Sequence, residues 1–314
     1  MLVEKNNNLF SCHTLNSTVP GPNIIITAGI HGDEFEPMLA AMNLVKRLER
    51  KLLRGSVTII PVVNVAAFEA SARCAPDGLD LARTFPGKKN GSSTETTAQQ
   101  LTGLIKQADY LIDLHTGGQL FDILPLTGYL LHSDKKVLEK QRKLAAAFNL
   151  PVIWGTDANV EGRTLSIARE FGIPAIYAEC RGGLRVNKKT ITLYENGCIN
   201  ILQTLGMLNQ KTKRQPAVSN WLEDHRPGQG HLQSKLPSPA KGIFVPEVSL
   251  GKLVKKGNVI GAIIDPASQQ RTKLFAEENG ILFMLRISSK VNLGDTLGGI
   301  LPITKKGRKT IHAK

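Results

Sequence analysis

The sequence predicts an α/β fold in which helices flank a sheet, followed by a smaller all-β domain. Three observations lead to this prediction. Apolar runs alternate with amphipathic stretches from residue 23 to about residue 205. Beyond about residue 210, short strand-like segments punctuated by glycine follow one another without a helical pattern. A chain of 314 residues is also long for a single hydrophobic core, which favours one large and one small domain.

The first part alternates between strand-like and helical segments. The strand-like run "NIIITAGI" precedes "FEPMLAAMNLVKRLERKLL", whose apolar residues recur at approximately helical spacing. The later strand-like runs are "GSVTIIPVVN", "DYLIDLH", "LPVIWG" and "IPAIYAE". The later helical runs are "TAQQLTGLIKQA", "KKVLEKQRKLAAAF" and "RTLSIAREFG". This alternation is typical of a largely parallel or mixed sheet with helices on both faces.

The second part begins after the polar segment "NQKTKRQPAVSN", which we interpret as a linker. We therefore predict two domains, residues 1–215 with the chemistry and residues 216–314 as a β-domain with a basic tail. Within the second domain, "VSLGKLVKKGNVIGAI" and "ISSKVNLGDTLGGI" form an approximate internal repeat. Short glycine-punctuated strands of this kind favour a small β-barrel or sandwich.

The net charge of +14 comes in part from the C-terminal segment "ITKKGRKTIHAK", which we expect to be solvated or frayed. Nucleic-acid binding is not expected despite this charge, because only 5% of residues are aromatic and no base-stacking motif is present. No run approaches the ~20 apolar residues of a membrane span, so no membrane partner is expected. We expect no secretion signal, since the N-terminal segment has no basic start followed by a long apolar stretch, and the four cysteines lack CxxC spacing. These features predict a cytoplasmic protein with reduced thiols.

Polar residues that can bind a metal follow three of the predicted strands. His31 and Glu34 follow the first strand, His115 ends "DYLIDLH", and Glu179 ends "IPAIYAE". Ligand sites in open α/β sheets lie outside the carboxyl ends of the strands, so these side chains are expected at one edge. Two histidines, one carboxylate and a water form a catalytic zinc site. A further carboxylate beside such a site can serve as general base.

Four motifs, in this order, resemble the succinylglutamate desuccinylase/aspartoacylase family, a branch of the zinc-carboxypeptidase-like fold. They are "GIHGDE", "PVVNVAAFEASARCAPDGLDLARTFPG", "DLHTGG" and "GRTLSIAREFGIPAIYAECRGG", and they cover about residues 20–205. The C-terminal part is similar to that of family members with a β-domain akin to lipoyl or biotinyl carriers. The resemblance therefore implies a zinc-carboxypeptidase-like mixed sheet and a lipoyl/biotinyl-like barrel. The β-domain lacks a carrier lysine signature, so we expect it to restrict access to the site or to build a homo-oligomer.

The resemblance also implies roles for individual residues. His31, Glu34 and His115 match the ligands of one Zn²⁺ per chain, and Glu179 matches the general base. Arg73 matches the arginine that polarises the scissile carbonyl and stabilises the oxyanion.

Substrate recognition follows the family pattern only in part. Arg83 matches the arginine that binds a substrate carboxylate. Ala82 replaces a substrate-binding asparagine, and Leu165 replaces an arginine of the N-acetylaspartate enzymes. Arg163 lies close enough in sequence to compensate as a substrate-binding residue. These departures disfavour a dicarboxylate substrate, and an N-acyl derivative of a neutral or basic amino acid, or a diamine-derived amide, fits no worse.

We therefore expect zinc-dependent hydrolysis of an amide bond in a small N-acyl amino acid or a related amide. A zinc-bound water would act as the nucleophile and a glutamate as the general base. One alternative is a metallocarboxypeptidase that acts on short peptides, for which Arg83 would serve equally well. Another is a small-molecule binding protein of the same fold without catalytic activity.

Overall fold

The computed structural model describes residues 2–6, 9–209, 217–232, 235–303 and 308–312. The predicted linker around the domain boundary at residues 215 and 216 lies mostly outside the described residues. The division into two domains at that point stays a prediction.

Strands and helices alternate through the first two thirds of the chain, and strands alone follow. The strands are β1 (Leu2–Asn6), β2 (Ser11–Asn16), β3 (Asn23–Thr27), β4 (Ser56–Ile60), β5 (Tyr110–His115), β6 (Phe121–Ile123), β7 (Leu126–Leu130), β8 (Val152–Thr156), β9 (Ala175–Glu179), β10 (Asn220–Asp224), β11 (Gly242–Pro246), β12 (Leu253–Val254), β13 (Val259–Ile264), β14 (Arg271–Phe275), β15 (Gly280–Arg286), β16 (Lys290–Val291), β17 (Gly298–Leu301) and β18 (Arg308–Ile311). The helices are α1 (Phe35–Leu48), α2 (Val65–Glu69), α3 (Ser93–Ile105), α4 (Lys135–Phe148), α5 (Thr164–Glu170) and α6 (Lys188–Thr204), with a 3₁₀ turn at Leu81–Arg83.

The described strands include a mixed sheet of ten in the order β1-β2-β4-β3-β5-β9-β7-β8-β10-β18. Strands β3, β5 and β9 are parallel neighbours, so their carboxyl ends reach the same edge. His115 of β5 lies opposite Glu179 of β9 in this register. The predicted mixed sheet is confirmed, and it positions the polar residues that end these strands.

Two hydrophobic cores pack against opposite faces of the sheet. Alternate residues of a strand point to opposite faces, and accordingly Ile25 packs with Leu101 of α3 and Ile167 of α5. Ile26 instead packs in the second core with Leu44 of α1, together with residues of α4 and α6. This arrangement confirms the prediction of helices on both faces.

Strands β11 to β17 form two small sheets, in the orders β14-β13-β11-β16 and β12-β15-β17. The two copies of the internal repeat form the same turn. Asn258 accepts a hydrogen bond from the Lys255 backbone N–H at 2.8 Å, and Asp295 accepts one from the Asn292 N–H at 2.9 Å. Strand β6, which lies between β5 and β7 in sequence, pairs with β15 and joins this region to the large sheet.

Two strands from the C-terminal third belong to the large sheet, which the sequence does not predict. Strand β10 pairs with β8, and β18 pairs with β10. The expectation of a frayed C-terminal tail is therefore wrong for residues 308–311. The hydrophobic pattern does not predict β10 because the strand contains buried polar residues. Its Glu223 is buried and accepts hydrogen bonds from Tyr129 at 2.6 Å and Arg142 at 2.8 Å.

In the described part of the chain, no helix combines the length and apolar character needed to cross a membrane. All four cysteines lie in that part, and each is a free thiol.

Candidate metal centre

Three side chains converge at the edge of the sheet where β3 and β5 end. His31 and Glu34 lie in the turn between β3 and α1, and His115 is the last residue of β5. Glu34 Oε1 lies 2.7 Å from His31 Nδ1, and Glu34 Oε2 lies 3.2 Å from His115 Nδ1. Each of the three residues has one possible ligand atom that lies within 4.8 Å of those of the other two. Gly32 lets this turn approach α2 closely, because an added Cβ would lie 2.1 Å from the Ala67 carbonyl carbon.

The second ring nitrogen of each histidine faces a carboxylate. His31 Nε2 lies 3.2 Å from Asp80 Oδ1, and His115 Nε2 lies 3.0 Å from Asp113 Oδ2. Asp113 also accepts a hydrogen bond from the Thr27 hydroxyl at 2.7 Å. Carboxylates in this position fix the ring orientation of metal-binding histidines and raise their basicity. Both rings are therefore held with Nδ1 toward Glu34.

The electrostatics of this cluster favour a cation. Burial alone would raise the pKa of Glu34, but the imidazoles of His31 and His115 outweigh it and lower that pKa far below its usual range. Burial would lower the pKa of His115, yet Asp113 and Glu34 raise it well above its usual value. Two imidazole nitrogens and a carboxylate form the N/O donor set that zinc accepts at catalytic sites. The residues present therefore fit a divalent metal ion.

Glu179 lines the same cavity from the end of β9. Desolvation by the surrounding protein raises the pKa of Glu179 to about 7, although the charge of His115 opposes the shift. Its Oε2 is buried and has no hydrogen-bond partner. Tyr194 of α6 donates hydrogen bonds to the carbonyls of His115 and Cys180, which fixes the ends of β5 and β9 relative to each other. Glu179 is thus a carboxylate that can exchange a proton near neutral pH.

Arg73 reaches the cavity from the loop after α2. Its Nη2 donates to Asp80 Oδ2 at 3.1 Å, and its Nη1 lies 3.9 Å from Glu34 Oε1. Burial opposes its charge, but Asp80 and Glu34 raise the pKa of Arg73 above its usual value. Asp80 therefore orients both the His31 ring and this permanently charged guanidinium.

Two further arginines, Arg83 and Arg163, line the cavity. Arg83 Nη1 donates to the Ala82 carbonyl at 2.7 Å. Arg163 directs both terminal nitrogens to the Gly230 carbonyl at 3.2 Å, and its Nε is buried without a partner. Burial and the nearby charge of Arg83 lower the pKa of Arg163 to about 10. Two cations held this close are stabilised by an anion placed between them.

The rest of the cavity wall is uncharged and mainly apolar. It includes Ala82 and Leu165, and the C-terminal third of the chain contributes Leu232 and Met284. The remaining large uncharged side chains of this wall are those of Ile30, Phe121, Ile123, Leu130 and Tyr177.

All seven site residues named from the sequence line this one cavity: His31, Glu34, Arg73, Arg83, His115, Arg163 and Glu179. Asp80 and Asp113, which orient the two histidines, are not among the residues named from the sequence. For Asp80 the available signal was its position in "DLAR", three residues before Arg83. Nothing in the sequence indicates the contribution of Leu232 and Met284, because both come from distant parts of the chain.

Comparison with known proteins points to one family. The sequence model of one protein family, the succinylglutamate desuccinylase/aspartoacylase catalytic domain, matches residues 20–205. The N-alpha-acetyl-L-2,4-diaminobutyric acid deacetylase of Halomonas elongata is 29% identical over 290 residues, which cover 91% of this chain and 83% of that protein.

Solved structures share the fold over nearly the whole chain. A succinylglutamate desuccinylase from Silicibacter sp. TM1040 superposes with a TM-score of 0.85 at 25% identity, covering 94% of this chain and 89% of that one. An aspartoacylase family protein from Mesorhizobium loti gives a TM-score of 0.79 at 28% identity, with coverages of 95% and 90%. The product-bound ectoine utilization protein EutE (DoeB) from Ruegeria pomeroyi gives 0.84 at 22% identity, with coverages of 96% and 93%.

Proposed function

The chain belongs to the succinylglutamate desuccinylase/aspartoacylase family, and from this premise we propose that it hydrolyses the amide bond of a small N-acyl amino acid in a zinc-dependent reaction. The observation that carries the proposal is the placement of Glu179 in the same cavity as the His31, Glu34 and His115 cluster. The similarity to an N-alpha-acetyl-L-2,4-diaminobutyric acid deacetylase supports an N-acyl substrate.

His31, Glu34 and His115 would hold the zinc ion, with Asp80 and Asp113 orienting the two imidazoles. When bound, such an ion lowers the pKa of water and polarises a carbonyl oxygen. The carboxylates behind the histidines keep both Nδ1 atoms facing the Glu34 carboxylate, which holds the three side chains of the cluster together.

Glu179 is the group that moves protons. With a pKa of about 7, its carboxylate accepts a proton from the attacking water and later gives it to the departing amine. Its unpartnered Oε2 has no competing hydrogen bond within the protein. The same residue therefore acts as base in the first step and as acid in the second.

The three arginines would bind two different negative charges, the oxyanion formed in the reaction and the carboxylate of the substrate. Arg73, fixed by Asp80, would stabilise the oxyanion that forms on the scissile carbonyl oxygen. Arg83 and Arg163 would bind the carboxylate of the amino acid, because both line the cavity and Arg163 retains an unpartnered Nε. Planar guanidinium groups suit this pairing, since they can donate two parallel hydrogen bonds to one carboxylate.

The direct test is release of primary amine from N-acetyl, N-succinyl and N-formyl amino acids, measured with zinc-loaded and chelator-treated protein. We expect release from one of these classes that chelation abolishes and zinc restores. Equal release by the chelated protein would contradict the zinc dependence. Release from dipeptides but from none of the acylated amino acids would instead support a peptidase.

A further inference from the structure

The cavity has a charged end, which contains the His31, Glu34 and His115 cluster, Glu179 and the three arginines. Its remaining wall is uncharged and is continuous with a hydrophobic core. Leu165 and Met284 belong to the core cluster on the α3 and α5 face of the sheet, and Leu232 packs against that cluster. Met284 is fully buried, and Leu165 is 6% exposed. Phe121, Ile123, Leu130 and Tyr177, which also line the cavity, are members of the same cluster. A substrate group at this wall therefore contacts hydrocarbon side chains of the core.

Each carboxylate that lines the cavity already has a role, either in the proposed reaction or beside a metal-binding histidine. Among the described lining residues they are Glu34, Asp113 and Glu179. Glu34 belongs to the metal-binding cluster and Glu179 is the proposed base. Asp113 faces His115 and accepts a hydrogen bond from Thr27. A second ammonium on the substrate would therefore reach the wall without a partner carboxylate.

Only part of the hydrogen-bonding capacity of the cavity arginines is open to a substrate carboxylate. Arg73 is ion-paired with Asp80 at 3.1 Å. Arg163 already donates through both terminal nitrogens to the Gly230 carbonyl, and its charge is opposed by that of Arg83. One substrate carboxylate between Arg83 and Arg163 relieves this repulsion. A second carboxylate would have to lie against the wall formed by Leu165 and its neighbours.

We infer that the substrate carries one carboxylate and one hydrocarbon group, and that Leu165, Leu232 and Met284 select the hydrocarbon group. This inference rests on the proposed hydrolysis of an N-acyl amino acid. Burial of an unpaired charge is strongly unfavourable, whereas each buried methylene is stabilising. The hydrocarbon group is either the side chain of the amino acid or an extended acyl chain, and the two sources can be separated experimentally.

An isosteric pair of substrates tests the exclusion of charge. The side chains of N-acetyl-L-norvaline and Nα-acetyl-L-2,4-diaminobutyrate differ only in a terminal methyl against an ammonium. The reference is the better cleaved of two hydrocarbon substrates, N-acetyl-L-norvaline and N-pentanoylglycine. We expect its kcat/KM to exceed the values for Nα-acetyl-L-2,4-diaminobutyrate and N-acetyl-L-aspartate by roughly 100-fold. A preference for either charged substrate would overturn the inference while leaving the proposed hydrolysis intact. Release of amine from no acylated amino acid would overturn both.

A second comparison identifies the source of the hydrocarbon. N-acetylglycine is the reference, N-acetyl-L-norvaline extends the side chain, and N-pentanoylglycine extends the acyl group. We expect one of the two extended substrates to exceed N-acetylglycine in kcat/KM by roughly 10- to 200-fold, the discrimination that methylenes in an apolar pocket provide. Equal values for all three substrates would contradict the inference.

A matched pair of variants tests the assignment of the wall. Leu232 and Leu104 are both half-buried and pack against the same core, but of the two only Leu232 lines the cavity. In Leu232→Asn, the ratio of kcat/KM for the preferred extended substrate to that for N-acetylglycine should fall about tenfold. In Leu104→Asn the ratio should not change. Equal ratios in Leu232→Asn and in the unsubstituted protein would contradict the role of Leu232.

Discussion

The charged end of the cavity and its apolar wall contribute to the molecule in opposite ways. At the charged end, Glu34 is 1% exposed and contacts the imidazoles of His31 and His115. Asp113 is 2% exposed and contacts the His115 imidazole and the Thr27 hydroxyl. Buried ion pairs of this kind add little to stability, because desolvation offsets their attraction. At the wall, Met284 and Leu165 extend a continuous core, and burial of their side chains stabilises the fold directly.

Within this one site, the residues proposed to carry out the chemistry therefore differ from those that stabilise the fold. At the charged end, His31, Glu34 and His115 are each held by a charged partner, which preorganises this cluster for a cation. The wall gives shape and selectivity at no electrostatic cost. Substitutions at the two places should therefore change different measured quantities.

The largest expected effect is loss of turnover in Glu179→Gln. An amide cannot accept a proton from water, so kcat should fall by roughly 10³-fold, within the range for loss of a general base. Zinc binding and the circular-dichroism spectrum should remain those of the unsubstituted protein. Wild-type-like rates in this variant would remove Glu179 from the role of base.

The counterpart at the wall is Met284→Ala. Met284 is fully buried, so the cavity left by the substitution should lower the free energy of unfolding by about 2–5 kcal/mol. Chemical denaturation of this variant and of Glu179→Gln measures the contrast, because the latter should unfold at an unchanged or higher denaturant concentration. If both variants lost the same stability, the separation between the two regions would be wrong.

A smaller effect is expected for Asp80→Asn, which weakens the support behind His31 and Arg73. Loss of a carboxylate that orients a metal-binding histidine typically lowers metal affinity 10- to 100-fold. Competition with a zinc-binding dye measures that affinity. Asp77→Asn is the matched control, because Asp77 lies in the same loop but accepts hydrogen bonds from Thr94. Unchanged zinc affinity in Asp80→Asn would show that His31 is oriented without it.

The sequence predicts elements best where the hydrophobic pattern is undisturbed. Helix α4 begins and ends where its pattern predicts, at Lys135–Phe148. Helix α6 (Lys188–Thr204) is not predicted, in part because Gly197 interrupts it. That glycine is required by packing, since an added Cβ would lie 2.2 Å from the Phe148 ring. Strand β10 is missed for a related reason, because its buried Glu223 is matched by Arg142 from a distant helix.

Within the site, too, only the positions that depend on the strand pattern can be predicted from the sequence. The positions of His31, Glu34, His115 and Glu179 at strand ends follow from the alternation of strands and helices, since parallel strands share an edge. Their contacts with Asp80 depend on how a loop folds back, which the pattern does not encode. The contribution of Met284 depends on the pairing of β15 with β6, a contact between segments more than 150 residues apart in sequence.

The central claim is that a metal held by His31, Glu34 and His115 enables amide hydrolysis in this cavity. The most direct measurement is bound zinc per chain and amine release from the preferred N-acyl amino acid, in one preparation before chelation, after chelation and after zinc is restored. We expect one ion per chain and amine release that is lost and regained together with it. Undiminished release without bound metal, or no release with one ion bound per chain, would contradict the account.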